Sequence, residues 1–182
     1  MRRLLVVVTL LAWTTPTIAD APSLDATLTW MHDKLRDRGK VEYGISQRIG
    51  PQKVIIEQSL SWTGDQCVLL YRRSVTTIDD LGKAANADGT SRVPLAEMDP
   101  KTATTYSDLC RNREGVSAKC HFIELRSKRG REVVKHEGTG AGRSASLPMI
   151  LGGAEGELAS KMRDALKHAA TLCSAKEPEF PR

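Results

Sequence analysis

Three features of this 182-residue chain predict an α+β fold with an antiparallel sheet. An amphipathic stripe lies near the start, the hydrophobic period falls to two through a long middle, and a longer helical stripe closes the chain. Helical runs do not alternate with strands, which argues against a doubly wound parallel sheet. No segment repeats at a fixed period, and the length suits one domain with its own core. The predicted order is an N-terminal helix, an antiparallel meander of about seven or eight short strands, and a long C-terminal helix packed on the sheet.

The first nineteen residues read as an export signal: Met1, Arg2 and Arg3 are basic, Leu4 to Trp13 are apolar, and Thr17 and Ala19 are the small residues a signal peptidase reads. The apolar run is about ten residues, where a membrane-spanning helix needs roughly 20, and Pro16 interrupts it. Cleavage after Ala19 is expected, leaving residues 20–182 as an exported domain, periplasmic or extracellular, with no transmembrane segment. Losing Arg2 and Arg3 takes 27 basic residues to 25 against 22 acidic ones, so the net charge falls from +5 to +3. That is too mild to argue for nucleic acid as a partner. Aromatic residues make up only 4% of the chain, so the core is expected to be aliphatic.

Ser23 is the expected N-cap of the first helix, with Asp25 in its first turn. Leu24, Leu28, Met31 and Leu35 form its apolar stripe, Gly39 is its stop, and Trp30 is placed at the rim of the core. Val41, Tyr43 and Ile45 alternate with polar residues, and after a turn at Gly50-Pro51 the segment from Lys53 to Trp62 continues the pattern. Thr63-Gly64-Asp65 turns the chain into a strand from Cys67 to Arg73, with Leu69 and Tyr71 on one face and Val68 and Leu70 on the other. Asp79 to Ser91, polar and rich in Ala and Gly, reads as a surface loop in which Asn86-Ala87-Asp88-Gly89 is a tight turn. Short strands follow at Arg92 to Ala96 and around Thr102 to Tyr106. Lys119 to Ser127 and Glu132 to His136 read as a hairpin about Lys128-Arg129-Gly130-Arg131. Gly138 to Ser146 reads as a flexible connection and Leu147 to Leu151 as a strand. The last helix, from about Ala154 to Ala175, carries Leu158, Met162, Leu166, Ala169, Ala170, Leu172 and Cys173 on its apolar face.

Four cysteines in an exported chain read as two disulfides. Of the three possible connectivities, loop geometry favours Cys67 with Cys173 and Cys110 with Cys120. The first closes a loop of about a hundred residues and the second a short polar one.

No motif implies a metal, a cofactor or catalysis. Gly138-Thr139-Gly140-Ala141-Gly142-Arg143-Ser144 fails as a phosphate loop, because Arg143 stands where a dinucleotide fingerprint needs glycine and no helix follows directly. His121 and Cys120 point to opposite faces of a strand and cannot share an ion. The surface feature with functional potential is the basic cluster of Arg126, Lys128, Arg129, Arg131 and Lys135. On one hairpin tip it would attract an anionic envelope component or an acidic protein partner.

Three segments resemble a kind of small exported bacterial protein without assigned activity. They are Thr27-Leu28-Thr29-Trp30-Met31-His32-Asp33-Lys34-Leu35, Pro94-Leu95-Ala96-Glu97-Met98-Asp99-Pro100, and Ala165-Leu166-Lys167-His168-Ala169-Ala170-Thr171-Leu172-Cys173. A strand meander closed by a C-terminal helix is also similar to the pleckstrin-homology-like architecture, a likeness of fold that carries no ligand with it. The expectation is an exported binding or envelope-associated module. The alternatives are an enzyme of unrecognised type, marked by a cleft with two or more shifted ionisable groups, and a subunit of a larger envelope assembly, marked by an exposed apolar patch.

Overall fold

A computed structural model describes residues 21–47, 50–64, 67–111 and 117–175, with the side chains of 46–47, 109–111 and 117–118 outside the description. The export signal at 1–19 therefore lies outside the described residues. Among the described residues the architecture is α+β, with two helices and nine antiparallel strands in two sheets. In chain order these are α1 (Leu24–Arg38), β1 (Val41–Gln47), β2 (Gly50–Trp62), β3 (Val68–Ile78), β4 (Ala84–Pro94), β5 (Thr104–Arg111), β6 (Ser117–Arg126), β7 (Val134–Gly138), β8 (Gly142–Ser144), β9 (Ser146–Leu151) and α2 (Gly156–Ala175). A six-stranded sheet runs β1-β2-β3-β4-β7-β8 and a three-stranded sheet runs β5-β6-β9. Among the described residues no helix is long and apolar enough to cross a membrane.

Both helices form where periodicity places them. Ser23 caps α1 by accepting from the Ala26 N–H at 3.2 Å, and Leu24, Leu28, Met31 and Leu35 are all buried. Gly39 ends the helix in a right-handed conformation rather than a left-handed one; glycine is needed there because a Cβ would collide with the Leu35 carbonyl. The apolar face of α2 buries Leu158, Ala159, Met162, Leu166, Ala169, Ala170 and Cys173, while Leu172 is half-buried. Arg38 and Glu155 pair at 3.0 Å and tie the end of α1 to the start of α2. Trp30 is half-buried against the core, at its rim.

Several local expectations are corrected. The segment from Asp79 to Ser91 is not a loop: only the turn at Asp79 to Lys83 is, closed by the Asp79 carboxylate accepting from the Leu81 and Lys83 N–H groups. Ala84–Pro94 is a strand paired residue by residue with β3, and the supposed turn at Asn86 to Gly89 lies inside it. Ladder bonds to β3, and to β7 along its C-terminal half, override the weak strand propensity of Ala, Asn and Gly. Nor do β6 and β7 form a hairpin. β6 pairs with β5 and β9, whereas β7 pairs with β4 and β8, so Lys128–Gly130 is a corner between sheets. Positive φ at both Arg129 and Gly130 swings the chain from one sheet to the other. The supposed flexible connection after Gly138 is instead the β7–β8 hairpin.

Two apolar clusters hold these parts together. The larger joins α1 and α2 to Leu60, Leu69 and Val93 of the big sheet and to Ile123, Leu125, Leu147 and Met149 of the small one. The smaller joins Val41, Val54 and Ile56 to Cys120 and Ile150 on the other face of the small sheet. The inward row of β2 runs Val54, Ile56, Gln58, Leu60, so Gln58 stands between the two clusters. It is 6% exposed and fully satisfied. Its Nε2 donates to the carbonyls of Gly39 at 2.7 Å and Ile150 at 2.6 Å, and its Oε1 accepts from the Tyr71 hydroxyl at 2.5 Å and the Ile150 N–H at 3.3 Å. The side-chain amide thus pairs with Ile150 as a neighbouring peptide would, joining β2 to β9 across the two sheets.

The β1 ladder ends at Val41 opposite Ile56, leaving the rest of β2 without a strand on that side. There α1 takes over, and His32 donates from Nδ1 to the Leu60 carbonyl at 2.5 Å. Cys67 and Cys173 form the predicted disulfide, with Cα atoms 5.6 Å apart, tying the start of β3 to the last turn of α2. Cys120 is also disulfide-bonded. The Cys110 side chain, its expected partner, lies outside the described residues.

Candidate functional site

The three-stranded sheet covers only part of the inward face of the larger one. Beyond its edge the strand pattern leaves an open groove of about 330 Å³, bounded by β3, β4, β7 and Pro148 of β9. Register sets what lines it. Tyr71, Ser91 and His136 lie abreast across β3, β4 and β7, and Arg73, Gly89 and Gly138 form the next line outward. On the β2 side Arg73 stands opposite Gln58, whose amide is committed to Gly39, Tyr71 and Ile150, and on the other side Gly89 and then Gly138 leave the space toward β7 without a side chain. At Gly138, φ is +90° and a Cβ would meet the Asp88 carbonyl, so the glycine is required by the backbone as well as by the space.

His136 is held from both sides. Its Nδ1 lies 2.8 Å from Ser91 Oγ and its Nε2 lies 2.8 Å from Ser144 Oγ, while Ser144 donates to the Ser146 carbonyl at 2.7 Å. Burial pushes the Tyr71 phenol well above its ordinary pKa, with Arg73 opposing the shift. At the rim, the Lys135 ammonium 2.9 Å from Glu137 holds that carboxyl below its usual range. Arg73 enters no ion pair and no side-chain hydrogen bond among the described residues, and it is exposed to the groove.

A second serine–histidine contact lies on the small sheet, where His121 Nδ1 is 2.9 Å from Ser107 Oγ and Nε2 is 3.3 Å from the Gly153 carbonyl. It sits on the surface and lines none of the clefts described here. Cys120 is buried in the smaller cluster and His121 points the other way, as strand alternation requires. A cleft of about 640 Å³ also lies between α1 and α2, beside Trp30, Asp164 and His168.

The predicted basic cluster is dispersed about the corner between the sheets. Arg126 pairs with Glu124 at 2.9 Å and holds that carboxyl below its ordinary range. Arg131 pairs with Glu97 at 3.2 Å and Lys135 with Glu137 at 2.9 Å. Lys128 donates to the Ala96 carbonyl at 2.5 Å. Arg129 alone of the five has no such partner among the described residues. No motif spacing joins the groove residues Arg73, Ser91 and His136 in the sequence. The signal that does point to them is alternation: Arg73 continues the inward row of Leu69 and Tyr71.

No family model, curated protein or solved structure matches the chain.

Proposed function

We propose that this protein is an exported binding module whose ligand site is the groove over β3, β4 and β7, and that the ligand is a small anion. The observation that carries the reading is Arg73, an inward-facing guanidinium that forms no ion pair among the described residues, although Asp88 and Glu137 also line the groove, and that faces the glycines of β4 and β7 at the point where the covering sheet stops. A free guanidinium presents a planar fork of donors suited to carboxylate or phosphate. The basic corner is a weaker candidate, since three of its five cations already face carboxylates. Export is supported by the signal-like residues 1–19 and by the Cys67–Cys173 bond.

Binding is favoured over catalysis by the direction of the two shifted groups in the groove. Tyr71 moves up and Glu137 moves down, so both move away from the near-neutral range a general acid or base works in. A role as an assembly subunit receives less support, because the exposed large apolar side chains among the described residues are two, Leu81 in the β3–β4 turn and Tyr106 on β5 of the small sheet. The test is an amide-resonance titration of the disulfide-intact protein with small carboxylates, phosphates and neutral analogues. Anions are expected to move the signals of Arg73, Ser91 and His136, and the shifts are expected to vanish in Arg73→Ala. Anion-induced shifts elsewhere only, or shifts that survive in Arg73→Ala, would overturn the assignment.

A further inference from the structure

Resting on the groove as the ligand site, we infer that its ligand carries a hydrogen-bond donor, a hydroxyl or ammonium, close to the anionic group. The inference comes from the direction of the hydrogen bonds around His136. Ser144 has one hydroxyl hydrogen, and it goes to the Ser146 carbonyl. The contact between Ser144 Oγ and His136 Nε2 is therefore made by the imidazole N–H donating to the hydroxyl oxygen. A neutral imidazole protonated at Nε2 has a bare lone pair at Nδ1. Ser91 fills it by donating its own hydrogen across 2.8 Å.

The consequence is that Ser91 Oγ has only lone pairs left to offer the groove. The Tyr71 hydroxyl hydrogen is likewise committed, to Gln58 Oε1. Arg73 offers only donors. The groove thus sets a donor-only guanidinium one register line away from an acceptor-only hydroxyl, on the same face of adjacent strands. A carboxylate without a donor satisfies Arg73 and leaves Ser91 facing it with repelling lone pairs. A neutral polyol satisfies Ser91 and leaves Arg73 unmatched. The complementary class is a small hydroxy acid or amino acid, with sugar acids among the former, and a cavity of about 330 Å³ lies at the small end of ligand sites.

Three six-membered-ring probes separate these terms by calorimetry on the full disulfide-bonded protein: glucuronate, glucose and cyclohexanecarboxylate. Glucuronate is expected to bind, cyclohexanecarboxylate to bind about tenfold more weakly for want of a donor, and glucose to give no measurable heat. Ser91→Ala should bring the two carboxylates to equal affinity, weakening glucuronate by loss of its acceptor and relieving the repulsion on cyclohexanecarboxylate, and Arg73→Gln should abolish both. Equal affinity for the two carboxylates, or a Ser91→Ala variant that still separates them, would overturn the donor requirement while leaving the anion groove intact. Failure of both carboxylates to bind would overturn the groove reading itself, and the inference with it.

Discussion

The inward face of the large sheet has a covered end and an open end, and the same three strands pass through both. On β3 the inward row runs Leu69, Tyr71, Arg73; on β4 it runs Val93, Ser91, Gly89; on β7 it runs Val134, His136, Gly138. The first residue of each row is buried in the larger cluster, and the last lines the groove or its rim. Each row changes from apolar to polar within four residues while the period of two stays intact. Coverage, and not strand propensity, therefore decides the residue type along this face. The open end departs from the rule for a stable core, keeping Arg73, which has no ion pair among the described residues, beside empty space.

The covered end should fail most sharply at α2. Leu166 is wholly buried at the centre of its stripe, so Leu166→Ala should cost about 2 to 5 kcal/mol through lost transfer energy and a residual cavity. Lys161, which only pairs with exposed Glu157, should cost less than about 0.5 kcal/mol when changed to Ala. Denaturant midpoints of the two variants, with the disulfides kept oxidised, make the comparison, and equal midpoints would mean that α2 does not hold the covered end together.

Gln58 marks the boundary between the two apolar clusters, and Gln58→Leu should cost about 2 to 4 kcal/mol. Leucine fills similar volume, but the Tyr71 hydroxyl, the Gly39 carbonyl and both peptide groups of Ile150 lose their partner together. Urea unfolding measures the loss, and a midpoint within error of the parent would show that water replaces the amide at the seam. Tyr71→Phe removes one of these bonds and should cost about 1 kcal/mol at neutral pH. Because burial raises the folded pKa of Tyr71 above its unfolded value of 10.0, the stability it lends is fully present below that pH and is lost as pH rises through and beyond it. Between about pH 8 and about pH 10.5 the parent should therefore lose more stability than Tyr71→Phe. Parallel losses would show the phenol to be free to ionise.

The parts of this fold that were legible in the chain are those in which side chains carry the burial. Leu24, Leu28, Met31 and Leu35 declare α1, and Leu158, Met162 and Leu166 declare α2, because a buried helical face needs that spacing. The Cys67–Cys173 bond followed from compartment and loop geometry. β4 was hidden because its residues from Ala84 to Gly89 are small or polar, and Val93 is its only buried residue, so the ladder rather than the composition makes it a strand. The β6–β7 corner was misread because a Gly-containing basic turn looks alike whether the strands it joins pair with each other or part to different sheets. The groove was not legible at all, since Arg73, Ser91 and His136 meet only through the register of three strands.

The smallest expected effect on stability is the one that tests the two ends most directly. Leu69 and Arg73 lie on the same strand and the same face, four residues apart, and differ in cover: Leu69 is wholly buried under the helices, whereas Arg73 looks into open solvent. Truncating Leu69 to Ala removes buried methyl groups and leaves a cavity in the larger cluster, beside its cross-strand neighbour Val93, at a cost of about 2 to 5 kcal/mol. Truncating Arg73 to Ala removes no ion pair and no side-chain hydrogen bond among the described residues, so the change should stay within about 0.5 kcal/mol of the parent. Paired unfolding curves decide the matter: a cost at Arg73 approaching that at Leu69 would mean that the guanidinium braces the sheet, and that the open end is structural rather than a place kept free for a ligand.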